Sequence, residues 1–422
     1  MFRCRFIAAA VLTVAALVAP ALAQTTPVQW KCTGEAGIPW EQQIAGCTAA
    51  IQSGQYAGKA LSWAYANRGT AHQLTSQTDR AATDLDEAIR LDPDNAPAFN
   101  SRGIIAAMRK QTDRAIEDFN QAIKLKPNFA KPYFNRGRLL AETGQTDRAI
   151  ADFTRVIALD PKNVMALRGR AGVYGRKNEH DKAIADFNRA ITLDPNQPPL
   201  FTARGGAYAA KGQYDRAIED YNQALKLNPN DAAAFFNRGS ARLRKVEPDR
   251  GGDRLRKDVD VDLDLAIEDF TQTLKLAPND ITVLNQRGTA YMNKREYDRA
   301  IEDFDQVIKA KPDHALAILN RGQSLSNKGQ QDRAIEDYDH SIRLEPNQAV
   351  AFYNRGIAYA RKRELDRAIE DFTRSIALNP KDARPFYNRA LAYGDKGEAS
   401  RAAADRNEAF RLDPRFGMRI AQ

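Results

Sequence analysis

Adjacent carboxylates are the side chains of this sequence best suited by type to do chemistry. The string Asp-Arg-Ala-Ile-Glu-Asp-Phe runs from Asp113 to Phe119 and recurs at Asp298–Phe304 and Asp366–Phe372. With Tyr as its last residue it starts again at Asp215 and Asp332. A Glu and an Asp that reach one substrate atom can serve as general acid and base. The element that carries them opposes this. The string lies in an apolar pattern of helical period, and successive helical residues point about 100° apart. Glu117 and Asp118 therefore diverge. The Glu place is also loose, taken by Thr83, Ala151, Ala185 and Ala404 in other copies. The Asp place is strict: Asp84, Asp118, Asp152, Asp186, Asp220, Asp269, Asp303, Asp337, Asp371 and Asp405.

One arginine is equally strict, at 68, 102, 136, 170, 204, 238, 287, 321, 355 and 389. It flanks its own apolar stripe as the Asp flanks the other. The expectation is that the two pair, within a unit or between neighbours, in the bidentate geometry that guanidinium and carboxylate favour. The competing reading is a row of ligand-binding arginines. Packing repeats from unit to unit, whereas ligand contacts vary, so the structural reading is preferred. Other catalytic constellations are missing from the sequence. His72, His180, His314 and His340 are scattered, no Cys accompanies a His, and neither a phosphate loop nor metal-ligand spacing occurs. The expectation is a non-enzyme with no cofactor and no metal.

These strings belong to a larger period. Gly69, Gly103, Gly137, Gly205, Gly239, Gly288, Gly322 and Gly356 keep a beat of 34 residues, with Ala171 and Ala390 on the two remaining beats and one interval of 49. Prolines from Pro93 to Pro414 keep the same time. Such periods mark stacked supersecondary units. In one unit, Phe352, Gly356 and Tyr359 form one helical stripe and Ala368, Phe372 and Ser375 a second. Arg361–Glu364 makes the turn, Asp366 is expected to cap the second helix, and Asn379-Pro380 ends it. Gly356 and Ala368 are placed to let the two backbones approach.

The pattern resembles the tetratricopeptide repeat (TPR) family, and exported bacterial members of it. The match rests on Tyr65, Gly69, Ala81, Leu85, Ala88 and Pro93, repeated as Phe99, Gly103, Ala115, Phe119, Ala122 and Pro127, over ten units in residues 62–416. Arg242 departs from it, standing where an apolar residue is expected. The resemblance implies an all-α, right-handed superhelical solenoid of about ten helix hairpins, with a concave groove that binds other proteins. Carried over by position, the groove contacts are Asn67, Asn135, Asn237, Asn320, Asn354 and Asn388, beside Phe134, Phe236, Tyr353 and Tyr387. Asparagine amides there can bond an extended peptide backbone. A carboxylate-gripping variant of the family needs Asn after the small residue. Here Thr70, Ile104, Arg138, Gly172 and Gly206 stand there.

The remaining segments read as follows. Residues 1–23 combine Arg3 and Arg5, an uncharged apolar run and Ala21-Leu22-Ala23, the pattern of a secretory signal peptide. Export to the periplasm or beyond follows, with no membrane span after cleavage. Cys32 and Cys47 are then an even pair in an oxidising compartment, which suggests a disulfide. It would pin a cap of residues 24–61, a half repeat in which Cys47 takes the Phe place, with Trp30 and Trp40 over the open end. Arg406 replaces the last packing aromatic and suits a face turned to water; residues 417–422 are a tail. Fifteen inserted residues fall within about 244–263 and are expected as a solvated turn, the second helix beginning near Asp264. The run Asp258, Asp260, Asp262 raises calcium as a lesser alternative, opposed by Leu263 where a calcium loop needs Gly. The net charge of +9 comes with both signs interspersed, so no basic stripe for nucleic acid is present. The expected function is a non-catalytic scaffold that binds a protein or peptide in the groove. The alternative is a cell-envelope assembly component that holds cell-wall polymer or an outer-membrane partner.

Overall fold

A computed structural model describes residues 31–33, 37–246 and 256–418. Among the described residues all regular structure is helical. The chain divides into two compact units, residues 1–173 and 174–422, each described by itself.

The first unit opens with α1 (Trp40–Gln52) and a 3₁₀ turn at Gly58–Leu61. Three hairpins follow: α2 (Ser62–Leu74) with α3 (Thr78–Leu91), α4 (Ala96–Met108) with α5 (Thr112–Leu125), and α6 (Ala130–Glu142) with α7 (Thr146–Leu159). Helix α8 (Val164–Arg176) begins in this unit. The second unit holds α9 (His180–Leu193) and five hairpins with one irregular hairpin between them. They are α10 (Pro198–Ala210) with α11 (Tyr214–Leu227), α12 (Ala232–Val246) with α13 (Arg256–Leu276), and α14 (Ile281–Lys294) with α15 (Tyr297–Ala310). Then come α16 (Ala315–Asn327) with α17 (Gln331–Leu344), α18 (Ala349–Arg361) with α19 (Leu365–Leu378), and α20 (Ala383–Asp395) with α21 (Ala399–Leu412), closed by α22 (Arg415–Met418). Each unit is thus a run of repeated helix hairpins, the all-α solenoid class the period implies.

Small residues sit where the helices of a hairpin cross. A Cβ on Gly356 would lie 2.8 Å from the Phe372 ring, and Phe372 and Ala368 are fully buried. The hairpin turn needs a left-handed residue, supplied by Gly212 (φ 73°) in one repeat and by Arg363 (φ 65°) in another.

Three expectations change. Asp366 does not cap α19. The cap residue is Glu364, without a side-chain cap bond, and Asp366 lies inside the first turn, where it bonds Lys396 of the next repeat. Its charge still complements the helix dipole, and the lysine offers a stronger partner than an amide. The inserted stretch is not wholly a turn: α13 begins at Arg256 rather than near Asp264. Val259 and Leu263, four apart, continue the apolar stripe of this helix onto Leu243 and Val246. Asp258, Asp260, Asp262 and Asp264 therefore line a helix, which cannot offer the loop carbonyls of a calcium site. Residues 247–255 lie outside the described residues.

The first end also differs. Trp40 is 41% exposed, and Trp30 lies outside the described residues. Tyr56 and Trp63 pack edge to face instead, beside Cys32, Cys47 and Ala64. Cys32 and Cys47 are at disulfide distance and fully buried. At the other end Arg406 is half-buried, and Phe416 lies 4.9 Å from Tyr387 between ring centroids.

Candidate protein-binding face

The repeated charges are braces. Arg355 places Nε and Nη2 at 2.8 and 2.7 Å from the two carboxylate oxygens of Asp371. Arginines 68, 102, 136, 204, 238, 287, 321 and 389 hold the Asp of their own repeat in the same fork. The third nitrogen reaches back to the preceding repeat. Nη1 of Arg355 bonds Asp339 at 2.5 Å, that of Arg321 bonds Asp305 at 2.6 Å, and that of Arg204 bonds Asn188 at 2.6 Å. Arg355 is also flanked by the Phe352 and Tyr359 rings. Asp371 holds the Arg355 guanidinium charged well above its ordinary range. The expected pairing is therefore both intra-repeat and inter-repeat. The adjacent Glu points away: Glu370 is exposed while Asp371 is buried.

A second ladder was not foreseen. In five repeats the Asp in the first turn of the second helix bonds a cation at the end of the next repeat's first helix: Asp79 to Arg109, Asp215 to Lys245, Asp298 to Lys328, Asp332 to Lys362, and Asp366 to Lys396. Asp332 and Glu364 push Lys362 up to about 12. A recurring Lys or Arg thirty residues after that Asp was the signal in the sequence. Arg242 joins the first ladder. Its Nη1 bonds Asp269 at 2.6 Å beside Arg238, so one buried carboxylate answers two arginines. Burial holds Arg242 below the usual arginine range.

With the framework charges occupied, the first-helix faces remain. In the first unit a hollow of about 490 Å³ is lined by Leu74, Ile104, Phe134 and Met165, with Thr70, Asn100, Ser101, Asn135 and Lys131 among its polar walls. Leu74 and Met165 are about half exposed, at 51% and 50%. Of the expected contacts only Phe134 and Asn135 line this hollow; the rest of its lining comes from other repeat positions that the period alone does not single out. The Asn135 amide donates to Asn100 Oδ1 at 3.0 Å. Asn67 donates to the main-chain carbonyl of Cys32 at 2.6 Å.

In the second unit the same place is differently used. Among the described residues, the side chains of Asn237, Asn320 and Asn354 make no hydrogen bond, and all three are half-buried. One turn before two of them stand the exposed Leu316 and Val350. Asn388 instead donates to the Tyr353 hydroxyl at 3.0 Å. The four expected aromatics each lie against another ring: Phe134 on Phe153, Phe236 on Phe270, Tyr353 on Phe372, Tyr387 on Phe416. Phe236 also borders a hollow of about 330 Å³ with Thr273, Thr282 and Val283. His72 is buried against Asp84, which Arg68 already holds, and His314 caps α16 through Nδ1. Among the described residues no group of three or more His, Cys, Asp or Glu side chains is placed to hold a metal ion.

Profiles of the TPR repeat match residues 107–144 and 205–246, and profiles of the tetratricopeptide repeat match 64–95, 134–198, 285–349 and 349–382. Together they cover more than half of the sequence. The chain belongs to the tetratricopeptide repeat family, whose fold serves as a scaffold for protein–protein interaction. No curated protein matches it. Among solved structures it is similar to YrrB, described as a TPR protein with an unusual peptide-binding site. That likeness has 27% identity over 48% of this chain and 97% of YrrB, with a TM-score of 0.39. MamA is 26% identical over 39% of this chain and 95% of its own, with a TM-score of 0.35. A tetratricopeptide repeat protein from Parabacteroides merdae is 19% identical over 62% and 98%, with a TM-score of 0.45.

Proposed function

We propose that this protein is an exported, non-catalytic scaffold that binds an extended peptide segment of another protein along its first-helix faces. The observation that carries this reading is the bond from Asn67 to the Cys32 carbonyl. There an asparagine at the repeated place already holds a piece of polypeptide main chain. Asn320 and Asn354 offer the same amide with nothing on it, each beside an exposed aliphatic side chain. An Asn amide supplies both N–H donors and an acceptor oxygen, which suits the C=O and N–H of a strand. The apolar neighbours supply burial for side chains of about 25 cal/mol per Å². Neighbouring first helices touch, as Thr70 and Ser101 do at 3.2 Å. Helices in contact lie about 8–10 Å apart, so an extended ligand would meet one amide every third residue or so.

Export rests on the leader expected at residues 1–23, which lie outside the described residues. The Cys32–Cys47 pair is compatible with it, and no described helix is long and apolar enough to cross a membrane.

The test is selection from a random dodecapeptide library on the full chain, followed by crosslinking of a selected peptide to a photoreactive residue at Asn354. Crosslinking at 354 and none from the same group at Glu370 is expected. Failure to select any peptide, together with retention of the protein on purified cell wall, would favour the envelope-assembly alternative.

A further inference from the structure

The first place on the binding face is occupied by the chain itself. Lys31–Thr33 passes over α1 and presents the Cys32 carbonyl to Asn67 at 2.6 Å. The helix beneath is cut to fit it. A Cβ on Gly46 would lie 2.6 Å from Lys31 Cβ and 3.0 Å from its carbonyl carbon. Cys32 is buried while Lys31 and Thr33 on either side are exposed. The fastenings include the bond of Cys32 to Cys47, the contact of Lys31 with Gly46 and the amide of Asn67 on the Cys32 carbonyl. Water can replace the last of these at little cost.

We propose that Lys31–Thr33 is a strap that fills the Asn67 place in cis, and that the Cys32–Cys47 bond is the catch that keeps it there. With the catch broken, the strap leaves and the Asn67 amide donates instead to a main-chain carbonyl of a partner segment. This regulation rests on the peptide-binding reading of the first-helix faces. The chemistry is thiol–disulfide exchange with a dithiol reductant. One thiolate attacks a sulfur of the pair, the Sγ–Sγ bond breaks and a mixed disulfide forms. The second thiol of the reductant displaces it and closes a cyclic disulfide. Two electrons and two protons end on Cys32 and Cys47 as free thiols.

Hydrogen exchange read by mass spectrometry tests this on the full chain in four forms. They are the oxidised protein, the protein reduced with dithiothreitol, Cys32→Ser/Cys47→Ser, and Gly46→Val with the disulfide intact. Exchange in fragments containing Lys31–Thr33 should rise at least tenfold on reduction and in the double Ser variant. Gly46→Val should raise it less. Exchange in α3 and beyond should not change. Equal protection in all four forms would overturn the strap. Acceleration spreading through α2 and α3 would also overturn it, because the bond would then brace the first hairpin. A second readout is N-ethylmaleimide modification of Asn67→Cys against Asn320→Cys. The former should react tenfold slower in the oxidised chain and equally fast after reduction; equal rates from the start would contradict the cover. Neither readout uses a partner. An opening strap on a chain that selects no peptide would therefore sink the proposed function and leave the strap standing, and the converse holds as well.

Discussion

The asparagine place of the first helix does different work in the two units. In the first, both of its asparagines are used internally: Asn67 on the Cys32 carbonyl and Asn135 on Asn100. In the second, Asn237, Asn320 and Asn354 have no side-chain bond among the described residues, and only the terminal Asn388 is occupied. The arginine–aspartate braces do not vary in this way. Arg136 with Asp152 in the first unit and Arg355 with Asp371 in the second have the same fork. The braces are common to both units, and the use of the asparagine place is what differs between them.

The largest effect should come from breaking a brace. Arg355→Asp would leave the buried Asp371 facing a like charge and strip Asp339 of its partner. A loss of about 3–5 kcal/mol is expected in urea unfolding of the full chain. Glu370→Lys, on the neighbouring exposed carboxylate, should change stability by less than about 0.5 kcal/mol. Equal effects of the two would erase the distinction between framework and surface.

A pair of adjacent glycines sharpens it further. A Cβ on Gly205 would meet the Tyr221 ring at 2.8 Å, while one on Gly206 would meet nothing. Gly205→Ala should therefore cost about 1–3 kcal/mol. Gly206→Ala should stabilise by about 0.5–1 kcal/mol, the usual helix preference for Ala. The measurement is the shift in urea midpoint of each single variant. The asparagines come next. Asn135→Ala removes the bond to Asn100 and should cost about 1 kcal/mol. Asn354→Ala removes none and should leave the midpoint unchanged.

The smallest effect is a pH dependence confined to the first unit. Burial, reinforced by Arg68 and Arg80 and opposed by Asp84, holds His72 below its ordinary value of 6.5. The unfolded chain then takes up the proton first, so this contribution is intact above about pH 6.5 and is lost as pH falls below it. Midpoints recorded between pH 7.5 and 5 should fall more for the wild type than for His72→Leu. Leu140 holds the corresponding place in the third repeat.

Much of this framework was legible because it repeats. Ten copies of Arg and Asp, all but the one interrupted by the insertion at the same spacing, betray a pair even without coordinates, as Gly356 against Phe372 betrays a crossing. The Asp366 cap misread the local rule, since a free lysine one repeat later outcompetes a backbone amide for an exposed carboxylate. The start of α13 was missed because Val259 and Leu263 follow a run of Gly and charges that reads as a turn. The hollow of the first unit was largely invisible in the sequence. Leu74, Ile104 and Met165 come from three different repeats and share no single position. Whether an asparagine is free or occupied was likewise unreadable, because its partner lies 35 residues away and varies.

The central claim is that the free amides of Asn320 and Asn354 bind, whereas Asn135, bonded to Asn100 in the first unit, braces. Titration calorimetry of one selected dodecapeptide against the wild type, Asn320→Ala/Asn354→Ala and Asn135→Ala tests it most directly. The double variant is expected to bind at least tenfold more weakly, and Asn135→Ala as tightly as the wild type. Undiminished binding by the double variant, or an equal loss in both, would contradict it.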